Sequence, residues 1–165
     1  MNVKQLKHIG QSLARLAHEY WGGPKREMLI DPALYAWLLA TEGKATRQYP
    51  VKVPSPGRID FRIGGSNPVV LEFAVRPPDG GPELYGSQNR DELFKLSRIP
   101  QGKAKLRALL LVDLRSDQIR MDKLKSSYDE VHPGPGRFPR NVVQVIYTHR
   151  KEAYSFRWSP FKSVV

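Results

Sequence analysis

The chain has 165 residues, enough for one domain with a core of two or three layers. It has no cysteine, which excludes disulfide staples and thiolate metal sites and fits a reducing cytoplasm, and no apolar run approaches the roughly 20 residues of a membrane span. Its 27 Lys+Arg against 16 Asp+Glu give a net charge of +11 and a pI near 10.0, the footprint of a polyanion binder.

Residues 2–20 read as an amphipathic helix, with Leu6, Ile9, Leu13, Leu16 and Tyr20 at helical spacing and Asn2 as cap. Trp21-Gly22-Gly23-Pro24 ends it, and the start carries no apolar core of a signal peptide. A second helix is expected from Asp31 as N-cap and Pro32 at the first helical position to a stop at Gly43. A first strand follows over Arg47–Val53, broken by Pro54-Ser55-Pro56-Gly57. Two apolar runs, around Asp60 and around Glu72, flank the turn Gly64-Gly65-Ser66-Asn67-Pro68 and read as a hairpin. The Pro/Gly-rich stretch from Arg76 to Pro82 is a loop. Ser87 or Asn89 then caps a helix to about Arg98, where Asn89-Arg90-Asp91-Glu92 resembles a capping box. Lys105–Leu114 is continuously apolar at its centre and reads as a strand buried on both faces. A short helix over 116–127, a Pro/Gly loop from Tyr128 to Asn141, and a final hairpin of Val142–His149 and Tyr154–Trp158 complete a mixed α/β domain.

The hairpin carries the most informative pair. Centred near Ser66, it places Asp60 directly opposite Glu72, and strand alternation points both carboxylates to one face. Like charges opposed across a ladder are destabilising, and a bound metal ion is the commonest thing that reverses this. Surface ion pairs of Asp60 with Arg58 or Arg62, and of Glu72 with Arg76, are the structural alternative. Glu72 lies within an apolar strand, however, where an unpaired carboxylate is costly.

Arg58-Ile59-Asp60-Phe61, followed after a short turn by Val69-Val70-Leu71-Glu72-Phe73-Ala74, resembles the core of the PD-(D/E)XK nuclease superfamily. The order of elements around it is similar to that family's, and the stretch from Ala40 to Val51 resembles its helix end and first strand. The resemblance spans about residues 31–114. It implies a restriction-endonuclease-like mixed central sheet flanked by helices, here with an added N-terminal helix and C-terminal hairpin over about 142–158, all in one domain. It also implies Asp60 and Glu72 as ligands of Mg²⁺ or Mn²⁺. The family's lysine, two residues after the glutamate, is replaced by Ala74. Lys95 on the following helix, or less favourably Arg76 on the strand face of Glu72, would supply that cation, and Gln88 would support the metal or its water. Gln88, Asp91, Glu92 and Lys95 fall on one helical face. An acid on the helix before the first strand often completes such sites; Glu27 is a weak candidate, and Glu19 also lies upstream.

The four histidines, His8, His18, His132 and His149, are scattered without zinc-ligand spacing, no Gly-Lys-Ser/Thr follows Gly64-Gly65, and no nucleophile elbow is present. Arg62, Arg76, Lys123, Lys125, Arg137, Arg140, Arg150 and Lys151 are the candidate nucleic-acid contacts. Tyr147, Tyr154, Phe156 and Trp158 lie among them; aromatics there would stack on unpaired bases, although alternation assigns at least two to the core. The expected function is a metal-dependent nuclease hydrolysing phosphodiester bonds in DNA, in the cytoplasm, with a homodimer left open. The alternative is a catalytically inactive relative acting as a nucleic-acid-binding or protein-interaction module, with Ala74 as its main support.

Overall fold

A computed structural model describes residues 1–20, 26–53, 55–79, 83–132 and 141–160. The elements are α1 (Val3–Tyr20), α2 (Arg26–Glu42), β1 (Ala45–Val53), β2 (Ser55–Ile63), β3 (Val69–Arg76), α3 (Arg90–Ser97), β4 (Leu106–Asp113), α4 (Met121–Asp129), β5 (Val143–His149) and β6 (Ala153–Trp158), with a short 3₁₀ turn at Gln101–Lys103. The six strands form one mixed sheet in the order β1-β2-β3-β4-β5-β6. β3, β4 and β5 run parallel, and β1, β2 and β6 pair antiparallel with their neighbours. The α/β class expected from the sequence is therefore present, with helices on both faces.

Alternation along the strands sorts the core into two layers. Phe61, Ile63, Leu71, Leu110 and Ile146 face α1 and α2; Val70, Leu109, Leu111, Val145 and Tyr147 face α3 and α4. β4 supplies both layers, which is why it reads as an unbroken apolar run.

α1 begins with a reciprocal cap: the Gln5 amide donates to Asn2 Oδ1 at 3.0 Å and the Asn2 amide donates to Gln5 Oε1 at 2.8 Å. Its buried stripe is Leu6, Ile9, Leu13 and Ala17; Leu16, read from the sequence as part of that stripe, is 37% exposed because it sits one residue off the seam. Gly10 lies where α1 meets the sheet, and a Cβ there would come within 2.7 Å of Thr148 Oγ1 on β5. α2 starts five residues before the expected cap. Asp31 does not cap it but pairs with Arg47 of β1, and Pro32 is internal. Burial of Ile30, Leu34 and Leu38 carries one stripe across the proline, and that packing outweighs the single backbone hydrogen bond Pro32 cannot donate.

The expected break at 54–57 is narrower than the sequence suggests, since β2 already runs from Ser55 and pairs Val53 with Ser55 and Lys52 with Pro56. Pro50 is tolerated because β1 is an edge strand, and Pro56 because β2 pairs with β3 only from Phe61 onward. α4 is shifted to Met121–Asp129 relative to the expected 116–127, so that Leu124 and Tyr128 reach the second core layer. α3 has no capping box: Asn89 makes no side-chain cap bond, and its amide nitrogen instead donates to the Tyr85 carbonyl at 3.1 Å.

Candidate active site

β2 and β3 pair at Ile63↔Val69, Arg62↔Val70 and Phe61↔Leu71, the register of a hairpin centred on residue 66. Continued one step, it would oppose Asp60 and Glu72, as the sequence reading has it. The ladder stops at Phe61, however. Asp60 Oδ2 accepts the Phe73 backbone N–H at 3.0 Å, so a side chain takes the place of the next inter-strand bond. Ile59 packs in the α3/α4 layer and Phe61 in the α1/α2 layer, so regular alternation is lost at Asp60 itself. On the β1 side, Tyr49↔Ile59 and Arg47↔Phe61 flank Gln48, which adopts a left-handed φ of 49°. Its amide Nε2 lies 3.3 Å from Asp60 Oδ1. The Asp60 carboxylate is thus held from both sides.

Glu72 is 1% exposed, on the β3 face toward α3. Lys95 crosses from α3, and its Nζ lies 2.5 Å from Glu72 Oε1. α3 places it there because Leu93 and Leu96 are buried against β3 and β4 while Phe94 packs on Trp158, at 5.9 Å between ring centroids. Burial pushes the Glu72 carboxyl up to about 9, and the adjacent Asp60 carboxylate pushes the same way; Lys95 opposes both. A cavity of about 450 Å³ lined among others by Tyr49, Arg62, Val70 and Lys103 includes none of Gln48, Asp60, Glu72 or Lys95 in its wall.

The remaining sequence candidates separate from this centre. Arg76 does share the strand face of Glu72, but it is 5% exposed and its guanidinium is fully engaged. Nε donates to Glu83 at 2.7 Å, Nη1 to Asp113 at 3.1 Å and Nη2 to Asp117 at 3.2 Å. Burial among three carboxylates makes it a structural cation, available neither to the carboxylate pair nor to nucleic acid. Gln88 precedes the first turn of α3, is exposed, and accepts a hydrogen bond from Ser87 Oγ; no contact joins it to Asp60, Glu72 or Lys95 among the described residues. The amide at the site is Gln48 instead, which sequence reasoning missed. The signal was the register: with Val53 set against Ser55, Gln48 falls between the pairs Arg47↔Phe61 and Tyr49↔Ile59, level with Asp60. Of the acids on or near α2, Asp31 pairs with Arg47 of β1 and Glu42 with the N-terminal ammonium of Met1, while the Glu27 side chain lies outside the described residues.

Arg62 donates to the carbonyls of Gly64 and Gly65, with its guanidinium 5.2 Å from the Tyr49 ring centroid. Lys123 and Lys125 are exposed on α4, and Lys151 is exposed in the β5–β6 turn, where neighbouring Arg150 bonds His18 of α1. Arg137 and Arg140 lie outside the described residues. The C-terminal aromatics are core: Tyr147 is wholly buried, Phe156 and Trp158 are nearly so, and the half-buried Tyr154 stacks on Tyr147 at 4.6 Å. They offer no stacking platform for bases, because alternation turns them toward α3 and α4.

No family model matches the chain, and no curated protein matches it. Among solved structures, the crystal structure of SSO0001 is similar at 12% identity, covering 95% of this chain and 67% of that one with a TM-score of 0.36, a likeness too slight to carry an argument. No helix among the described residues is long and apolar enough to cross a membrane.

Proposed function

We propose that this chain is a restriction-endonuclease-like, metal-dependent nuclease that hydrolyses phosphodiester bonds in DNA. One observation carries the reading: the ammonium of Lys95, 2.5 Å from Glu72, stands at a carboxylate pair whose strand position lacks the family's lysine. The cation missing at Ala74 is supplied from α3.

The donor set fits a hard divalent cation. Asp60 and Glu72 are adjacent oxygen donors, and burial, then the Asp60 carboxylate, push the Glu72 carboxyl up to about 9, a cost that a bound cation would relieve. Asp60 and Glu72 would hold Mg²⁺ or Mn²⁺, which when bound polarises the phosphodiester and lowers the pKa of a coordinated water. Among the described residues no group of three or more His, Cys, Asp or Glu is arranged to hold a metal ion, so water and substrate oxygens would complete the shell. The Phe73 amide and Gln48 fix Asp60 in place before substrate arrives. Lys95 sits where an ammonium would orient the attacking water and stabilise charge developing on the phosphate. Water adds at phosphorus, the bond to one sugar oxygen breaks, and that oxygen leaves with a proton, giving a phosphomonoester and a hydroxyl. The net charge of +11 supports a polyanionic substrate.

The test is cleavage of supercoiled, linear and branched DNA with Mg²⁺ or Mn²⁺. The expected result is metal-dependent cutting that falls by about 100-fold or more in Asp60→Ala, Glu72→Ala and Lys95→Ala, a loss typical of removing an electrostatic catalytic group. DNA binding without cutting on every substrate overturns the nuclease reading in favour of the inactive binding module.

A further inference from the structure

A second basic site lies away from the carboxylate pair, at the N-terminal ends of β4 and β5. An open cavity of about 570 Å³ is lined there by Gln101, Lys105, Arg107, Asn141, Gln144 and Arg157, with Leu106 and Val142, and no acid among the described residues contributes. Arg107 is 7% exposed. Its Nε donates to the Ile99 carbonyl at 2.9 Å and its Nη2 to the Pro100 carbonyl at 2.6 Å; Nη1 has no partner among the described residues. No described carboxylate pairs with it, and burial alone pulls its pKa down. A guanidinium withdrawn from water without a counter-charge is costly, and an anion that enters beside it recovers part of that cost.

The surrounding wall is fixed. Asn141 Nδ2 donates to the carbonyls of Ser97 and Ile99, at 3.1 and 2.8 Å, and Gln144 Nε2 donates to the Phe156 carbonyl at 3.0 Å. Lys105 and Arg157 are exposed at the rim and form no ion pair with a described residue. Contrast Arg76, equally buried but engaged by three carboxylates. The same chain thus neutralises one buried arginine internally and leaves the other facing a cavity of cations.

We infer that this cavity binds a phosphate group through Arg107, Lys105 and Arg157, as a site separate from Asp60 and Glu72. The phosphate belongs either to a nucleic-acid strand or to a free phosphate compound. The site does not depend on the nuclease reading, because nothing in it requires metal or catalysis.

The test uses isotopically labelled full-length protein in phosphate-free buffer with a chelator, titrated with inorganic phosphate and separately with a short single-stranded DNA. Phosphate is expected to move the Arg107 Nε–H resonance and the amides of Gln101, Lys105 and Gln144 in a saturable way. The Lys105→Glu/Arg157→Glu double variant, altered only at exposed side chains, should weaken that binding by about tenfold or more, since hydrogen bonds to charged groups contribute on that scale. Lys4→Glu/Lys44→Glu, at two exposed lysines away from the cavity, changes net charge equally and should leave it unchanged. Saturation by DNA well below the phosphate concentration assigns the site to a strand; saturation by the two at equal phosphate-group concentration assigns it to free phosphate. Absence of these shifts, or equal weakening by the Lys4→Glu/Lys44→Glu variant, overturns the proposal.

Discussion

Glu72 is the strongly perturbed carboxyl of the candidate site, buried beside Asp60 and paired with Lys95. Its carboxyl is raised from 4.5 to about 9 by burial and then by Asp60. A group whose pKa is raised on folding binds more protons in the native than in the unfolded state. In metal-free buffer its stabilising contribution is therefore fully present below pH 4.5 and declines as pH rises toward 9. Glu72→Gln, isosteric and uncharged, should flatten this decline in chemical-denaturation curves recorded between those limits. An unchanged slope would show that Glu72 is ionised throughout. If Asp60 and Glu72 hold a divalent ion, added Mg²⁺ should restore wild-type stability most at the alkaline end, where no proton competes, and do nothing for Glu72→Gln with Asp60→Asn.

At the scale of elements, the site exists because β2 parts from β3 at Asp60 and β1 bends at Gln48. The left-handed φ of 49° at Gln48 is the one non-glycine departure of its kind among the described residues. Such a conformation costs about 1–2 kcal/mol for a residue with a Cβ, more for a branched one. Gln48→Gly should accordingly hold or raise thermal stability while loosening Asp60, whereas Gln48→Val should lower stability by about 1–3 kcal/mol in denaturant titration. Val being tolerated as well as Gly would mean the bend is not fixed by the native fold. Much of this arrangement is legible in the sequence. The turn at 64–68 sets the 61↔71 register, and the spacing of Leu93 and Leu96 fixes which way Lys95 points. The bend at Gln48 is not, because glutamine carries no local signal for positive φ; packing of β1 against β2 imposes it.

Across the molecule, the parallel strands are tied together at their C-terminal ends by a buried polar cluster. Arg76 of β3 bonds Asp113 of β4, Tyr147 of β5 donates its hydroxyl to Asp113 Oδ2 at 2.6 Å, and the Ile119 amide donates to Tyr147 Oη at 2.8 Å. Burial and then Asp113 hold the Tyr147 phenol in its neutral form well beyond its usual range. Removing one member of a buried charge pair leaves the other uncompensated, so Asp113→Ala should cost about 3–5 kcal/mol. Arg76→Met with Asp113→Leu should cost less than that single change. Additive losses in such a double-mutant cycle would show that the pair is not coupled. A cluster of this kind explains why Arg76, reasonable from its strand face as a site cation, belongs to the scaffold.

Local pattern determined what depends on neighbours in the chain. The hairpin turn, the two-sided apolar run of β4 and the +11 charge were readable from the sequence alone, and so was the closeness of Asp60 to Glu72, though not the break in the ladder at Asp60 that accompanies it. Tertiary structure decided what depends on distant partners. It took Arg76 out of the site through Asp113 and Asp117, brought Gln48 in where Gln88 was expected, extended α2 through Pro32, and left Arg107 facing a cavity without an acid. The physical reason is the same in each case: a buried polar or charged group must find a partner, and which partner stands within reach is fixed by how strands and helices from distant segments pack.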